Sequence, residues 1–184
     1  MKIGRIIPLH KSGVKTVKSN YRPISTLPFL SKVYERVIHT RLLKFLTKFG
    51  VLYPDQYGFL KNKSTTDAIL KFSDCCYANF NDKNFLISVF LDFSRAFDTI
   101  DHDIMCRKLE RCGVRGSMNE WFKSYFRGRS QYVEVAGTRS SLVNIRCSVP
   151  QGSILGPLCF LVYIKDMNRS SDPVSYTHLR AHET

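Results

Sequence analysis

No stretch of about 18 consecutive apolar residues occurs in this chain, so the sequence offers no helical membrane span. Nor does its start provide a secretory signal core, because Met1-Lys2-Ile3-Gly4-Arg5 runs into Pro8, His10 and Lys11 rather than an apolar block. The six cysteines, at 75, 76, 106, 112, 147 and 159, form no Cys-x-x-Cys pair and have no histidines at zinc-ligand spacing, which excludes the common structural zinc motifs. They read as reduced structural thiols and predict an intracellular setting, nucleus or cytoplasm, with no secretion and no membrane partner. Internal repeats and low-complexity tracts are missing too, which excludes a repeat array. Acidic residues are scarce: 15 stand against 28 Lys and Arg, a formal net charge of +13. Such an excess suits a polyanionic partner such as nucleic acid, and a solvated basic surface fits it as well.

What remains is globular composition, 43% hydrophobic and 23% charged over 184 residues, enough for one compact core. Gly4 to His10 reads as a strand, with a polar basic loop from Lys11 to Asn20. From Ser31 to Phe49, apolar residues at 33, 34, 37, 38, 42, 45, 46 and 49 recur at helical spacing between Lys32, Arg36, Arg41, Lys44 and Lys48. That pattern predicts an amphipathic helix with a basic outer face, ended near Gly50. A second helix is expected from Ser64 to about Phe80, capped by Ser64 or Thr65. The almost wholly apolar Phe85-Leu-Ile-Ser-Val-Phe-Leu91 predicts a strand buried on both faces. Helices follow over Thr99–Cys112 and Met118–Phe126, then a hairpin of Gln131–Val135 and Leu142–Cys147 around Gly137, then a buried helix over Ile154–Ile164.

Two segments carry chemistry. In Leu91-Asp-Phe-Ser-Arg-Ala-Phe-Asp98 a carboxylate ends a buried strand, which is costly unless it meets a cation, a cleft or a strong donor. Taken alone, the same pattern fits an aspartate that ends a strand or caps a helix, and Asp98 is placed to cap the next helix. In Ser148-Val-Pro-Gln-Gly-Ser-Ile-Leu-Gly-Pro-Leu158, Pro150 sets the backbone and Gly152 permits close approach of another chain or a ligand. A turn feeding a helix N-terminus can neighbour a phosphate, and it is also an ordinary strand-to-helix connection.

The ordered set of phrases resembles the reverse transcriptase domain of non-LTR (LINE-type) retrotransposons. The matching phrases are Gly4-Arg-Ile-Ile-Pro-Leu9, Asn20-Tyr-Arg-Pro-Ile-Ser25, Ser31-Lys-Val-Tyr-Glu-Arg36, Gln56-Tyr-Gly-Phe59 with Ser64-Thr65, Leu91 to Asp98, Asp101-His102, and Val149-Pro-Gln-Gly-Ser-Ile-Leu-Gly-Pro157. The resemblance implies an α/β fold, part of a polymerase right hand: fingers at about 1–84 and an incomplete palm at 85–168, with an antiparallel sheet and packed helices. It implies an RNA-directed DNA polymerase that extends a DNA primer on an RNA template with dNTPs by two-metal transfer, using two Mg2+ ions. By the same resemblance, Asp92 is a catalytic carboxylate and metal ligand, with the Phe93 backbone beside it holding metal. Phe97 underlies the sugar and rejects a 2′-hydroxyl, while Gln151 and Gly152 pack near the incoming nucleotide and template base. Arg22 and Lys32, with Lys61 and Lys63, supply cations to triphosphate or template. Many relatives have Arg directly after the Gln-Tyr-Gly-Phe phrase, whereas this chain has Leu60 and then Lys61, a point charge rather than a planar fork.

The family pattern next requires a strand-turn-strand with an aromatic-Ala-Asp-Asp motif, which the sequence does not carry after Asn168. In its place, 174–184 reverse-translates to something resembling a transposase-delivered sequencing adapter, so a non-native tail after about Pro173 is expected. The start falls inside the first fingers strand, and a domain truncated at both ends and inactive alone is the expectation. The reading from another class is a non-catalytic nucleic-acid-binding remnant using the basic helix and Arg127-Gly-Arg129.

Overall fold

Strand β1 (Ile3–His10) and strand β2 (Tyr21–Thr26) open the computed structural model, which describes residues 2–93 and 96–167. Helices α1 (Phe29–Lys48), α2 (Thr65–Asn81), α3 (His102–Arg111) and α4 (Gly116–Phe126) follow, then strands β3 (Arg129–Val135), β4 (Thr138–Arg139) and β5 (Val143–Ile145), and helix α5 (Gly156–Ile164). The α/β class expected from the sequence holds. The suspected tail at 174–184 lies outside the described residues. Among those described, no helix is long and apolar enough to cross a membrane.

The chain divides into two compact units, Met1–Val51 with Arg95–Ile164, and Leu52–Ser94 with Lys165–Thr184. The first holds the sheet, in the order β2-β1-β3-β4 with β5 also on β3. β1 and β2 are antiparallel from Arg5 opposite Thr26 to His10 opposite Tyr21, and β1 runs parallel to β3 from Ile3 beside Ser130 to Ile6 beside Val133. Sequence reading assigned no element to 21–26, and its Pro23 lacks a ladder donor. The register explains how it is tolerated: Pro23 sits on the edge strand opposite Pro8, and Pro8 lies past Ile6, where pairing with β3 has ended.

The core of this unit is helical. Leu46 of α1, Met105 and Leu109 of α3, Phe122 and Phe126 of α4, and Leu158 to Val162 of α5 are buried together with Ile100, Val149 and Leu155. α1 departs from the expected pattern. Its buried residues are Ser31, Glu35, Leu42 and Leu46, whereas Val33, Tyr34 and Val37 are exposed. At about 100° per residue, 31, 35, 42 and 46 share one face and 33, 34 and 37 lie around the other side. The basic residues Lys32, Arg36, Arg41, Lys44 and Lys48 are exposed as expected. α3 begins later than expected, and its cap is Asp101, whose carboxylate accepts from Ile104 N at 2.8 Å, rather than Asp98.

In the second unit, Ser64 caps α2 reciprocally: its hydroxyl accepts from Asp67 N, and the Asp67 carboxylate accepts from Ser64 N at 2.8 Å. The segment 85–91 corrects the sequence reading. It forms no strand, and Phe85, Ile87, Val89, Phe90 and Leu91 are exposed. A helix closes its hydrogen bonds within itself, but a strand exists only against a neighbour, and none among the described residues pairs with this run.

Candidate active site

The turn at Pro150–Ser153 is the best-defined feature that the sequence singled out. Ser153 N donates to Pro150 O at 2.9 Å, closing a four-residue turn with Gly152 in its third position at φ +107°. That φ excludes most side chains, and so does the space: a Cβ on Gly152 would stand 2.7 Å from the carbonyl oxygen of Ser25. The approach is fixed by a backbone bond, Ser25 N to Gln151 O at 2.8 Å, so β2 holds the turn edge-on.

A second grip comes from the segment before α3. Val149 N donates to Phe97 O at 2.9 Å and Ser148 N to Ile100 O at 2.8 Å, with Asp101 bridged to Cys147. His102, buried against Phe126 with ring centroids 5.1 Å apart, donates from Nε2 to Ser148 O at 2.7 Å. Ser148 itself has φ +99°, a strained conformation for a residue with a side chain, held here by bonds at both its N–H and its carbonyl. Phe97 is thereby brought beside the turn, with its half-buried ring 5.4 Å from that of Phe160.

A third grip was not foreseen. Glu35 is 1% exposed, and its carboxylate accepts from Ile154 N at 2.7 Å and from the Tyr125 hydroxyl at 2.8 Å. Arg129 is buried as well, donating to Tyr125 O at 3.3 Å with its guanidinium 4.9 Å from the Tyr125 ring centre. Burial, and then the Glu35 charge, hold the Tyr125 hydroxyl well above the usual phenol range, so it remains a donor. Burial likewise pushes the Cys159 thiol up, with Glu35 and Cys106 adding to the effect. The signal that could have revealed Glu35 was angular: it lies on the face of Leu42 and Leu46, not on that of Val33 and Val37.

Of the residues named from sequence, Phe97, Gln151 and Gly152 come together in the first unit. Arg22 is half-buried on the same strand as Ser25, and Lys32 is exposed on α1. Asp92 and Phe93 lie in the second unit, both exposed in irregular backbone. Lys61 is exposed there too, while Lys63 donates to Pro54 O and lies 4.8 Å from the Tyr57 ring centre, a local use for its charge. Gln56 is buried and donates to Gly58 O at 3.1 Å, shaping the same turn.

Magnesium needs several converging oxygen donors. Among the described residues no group of three or more His, Cys, Asp or Glu could hold a metal ion, so they do not by themselves fit such a centre.

The profile of the family Reverse transcriptase (RNA-dependent DNA polymerase) matches residues 9–178. The chain is 34% identical over 167 residues to "Probable RNA-directed DNA polymerase from transposon BS" of Drosophila melanogaster, covering 90% of this chain and 18% of that protein. It is 33% identical to the RNA-directed DNA polymerase from mobile element jockey of the same organism, with the same coverage of both chains. A retrovirus-related Pol polyprotein from type-1 retrotransposable element R2 of Popillia japonica is 26% identical over 85% of this chain and 22% of its own length. The chain thus spans about a fifth of the length of these curated relatives. By the match over most of its length, the chain belongs to the reverse transcriptase family, and its relatives are the RNA-directed DNA polymerases of non-LTR retrotransposons.

Proposed function

We propose that this chain is the nucleotide-receiving part of an RNA-directed DNA polymerase that extends a DNA primer along an RNA template in retrotransposition. The observation that carries the reading is the Pro150–Ser153 turn, whose exposed Gly152 packs against the Ser25 carbonyl and which is held at its flanks by β2, Phe97 and Glu35. In this reading Gln151 and Gly152 face the incoming dNTP and the template base, and Phe97 underlies the sugar. Arg22 and Lys32 neutralise phosphate, and a net charge of +13 favours the polyanionic substrates. Lys61 is a better candidate for an external phosphate than Lys63, whose ammonium is engaged with Pro54 and Tyr57. Asp92, with the Phe93 backbone, supplies one of the ligands of a two-magnesium centre. One carboxylate does not gather two magnesium ions, so activity is expected from the complete polymerase and not from these residues alone.

The test is primer extension by the complete polymerase on an RNA template with magnesium and dNTPs. Asp92→Asn should abolish extension while RNA binding is retained, and undiminished extension would remove Asp92 from its role. Salt-sensitive RNA binding without any extension, even by the complete protein, would replace this reading with a non-catalytic nucleic-acid-binding module.

A further inference from the structure

A buried carboxylate on the helix face that it shares with Ser31, Leu42 and Leu46 needs a reason, because it costs free energy that an apolar side chain of similar volume would not. Glu35 spends that cost on two donors far apart in the sequence, one from each of its oxygens: the Tyr125 hydroxyl on Oε1 and Ile154 N–H on Oε2. Ile154 is two residues past Gly152, between the turn and α5. The other end of the same stretch is held by Ser25 N on Gln151 O. The stretch from Gln151 to Ile154 is therefore gripped at both ends, by a strand at one and by a charged, short hydrogen bond at the other.

We propose that Glu35 is a positioning residue for nucleotide binding: it touches no substrate, and it fixes the orientation in which the Gln151–Gly152 turn meets the incoming dNTP. This rests on the reading of that turn as nucleotide-facing. Tyr125 completes the device. Its hydroxyl occupies the second carboxylate oxygen, and its own position is set by Arg129 beneath the ring and on its carbonyl. Removing Glu35 leaves Ile154 N–H without its acceptor and frees one end of the turn, while the grips at Ser25, Phe97 and His102 remain.

The experiment uses the complete polymerase, with steady-state kinetics in dNTP and hydrogen–deuterium exchange of the peptide covering 149–158. Glu35→Leu keeps volume and suits the apolar face, so it should fold; it should raise the KM for dNTP roughly tenfold with kcat within about twofold, and speed exchange at 151–155. Glu35→Gln should restore both readouts, since its amide oxygen can accept from Ile154 N–H while its NH2 donates to the Tyr125 oxygen. Glu35→Asp retracts the carboxylate by one methylene and should resemble Glu35→Leu, which keeps the test decisive should Glu35→Leu not fold. Wild-type dNTP KM and wild-type exchange in Glu35→Leu or Glu35→Asp would overturn the proposal, as would equal loss in Glu35→Gln and Glu35→Leu. If the wild-type polymerase does not extend primers, the functional reading fails on its own, and the exchange data still decide whether Glu35 holds the turn.

Discussion

Ile154 N–H donates to the Glu35 carboxylate at 2.7 Å, joining a helix to a turn 119 residues further along the chain. A contact of that separation is not written in local sequence, so the turn's geometry depends on how the first unit packs. Local sequence supplies the turn's shape, and the fold supplies its aim.

Gly152 is where shape and aim meet. Gly152→Ala must place a side chain at φ +107° and a Cβ 2.7 Å from Ser25 O, and a backbone carbonyl cannot swing away as a flexible side chain would. The φ penalty alone is on the order of 1–3 kcal/mol, and the clash adds to it by parting the turn from β2. Urea denaturation should show the loss, and the complete polymerase should need more dNTP to reach half-maximal rate. Gly50→Ala is the control: it has φ +59° with nothing within 4 Å of its added Cβ, so it should cost less and leave dNTP use unchanged.

Phe97 offers a test on sugar choice. Its backbone carbonyl is committed to Val149 N and its ring packs against Phe160, so the side chain is held in one place rather than swinging freely. Phe97→Ala should lower the ratio of kcat/KM for dNTP over rNTP, whereas Phe97→Tyr should keep it high. The stability loss should stay below the roughly 3–5 kcal/mol of a fully buried Phe→Ala, because the ring is only half-buried. An unchanged sugar ratio in Phe97→Ala would take the ring out of the sugar pocket.

How much of this was legible beforehand follows from how local each signal is. The α1 and α2 helices were readable because helical period and the Ser64–Asp67 cap are written within a few residues. The β2 strand was not read, and its Pro23 is tolerated only as an edge residue opposite Pro8, which is a fact of pairing and not of composition. The run 85–91 was misread for the opposite reason: its composition favours a strand, but pairing requires a partner that composition does not supply. Glu35 was passed over because Val33, Tyr34 and Val37 draw a convincing apolar stripe that the fold leaves exposed. The Gln151–Gly152 turn was found by its residues, while its three grips, at Ser25, Phe97 and Glu35, are long-range facts.

The exposed run has a physical consequence of its own. Phe85, Ile87, Val89, Phe90 and Leu91 are 69% to 102% exposed and carry no charge between them. An uncharged, β-prone apolar segment open to solvent is a template for pairing with a second copy. The isolated chain should therefore show rising scattering and early elution on size exclusion as its concentration increases. Ile87→Lys with Val89→Lys should suppress both, and a monodisperse wild-type chain would contradict the expectation.

His39 on α1 gives the chain a pH dependence with a defined sign. Burial first, and the Arg36 charge second, hold its imidazole below the usual value of 6.5. Above that value the ring is neutral in folded and unfolded chains alike, and its full contribution to stability is present. As the pH falls below about 6.5 the unfolded chain takes up the proton first, so stability declines progressively until the lowered folded value is passed. The melting temperature should therefore drop on acidification through this window, and His39→Gln, which cannot take the proton, should flatten that part of the curve. Parallel curves for the two proteins would mean that another group carries the acid sensitivity.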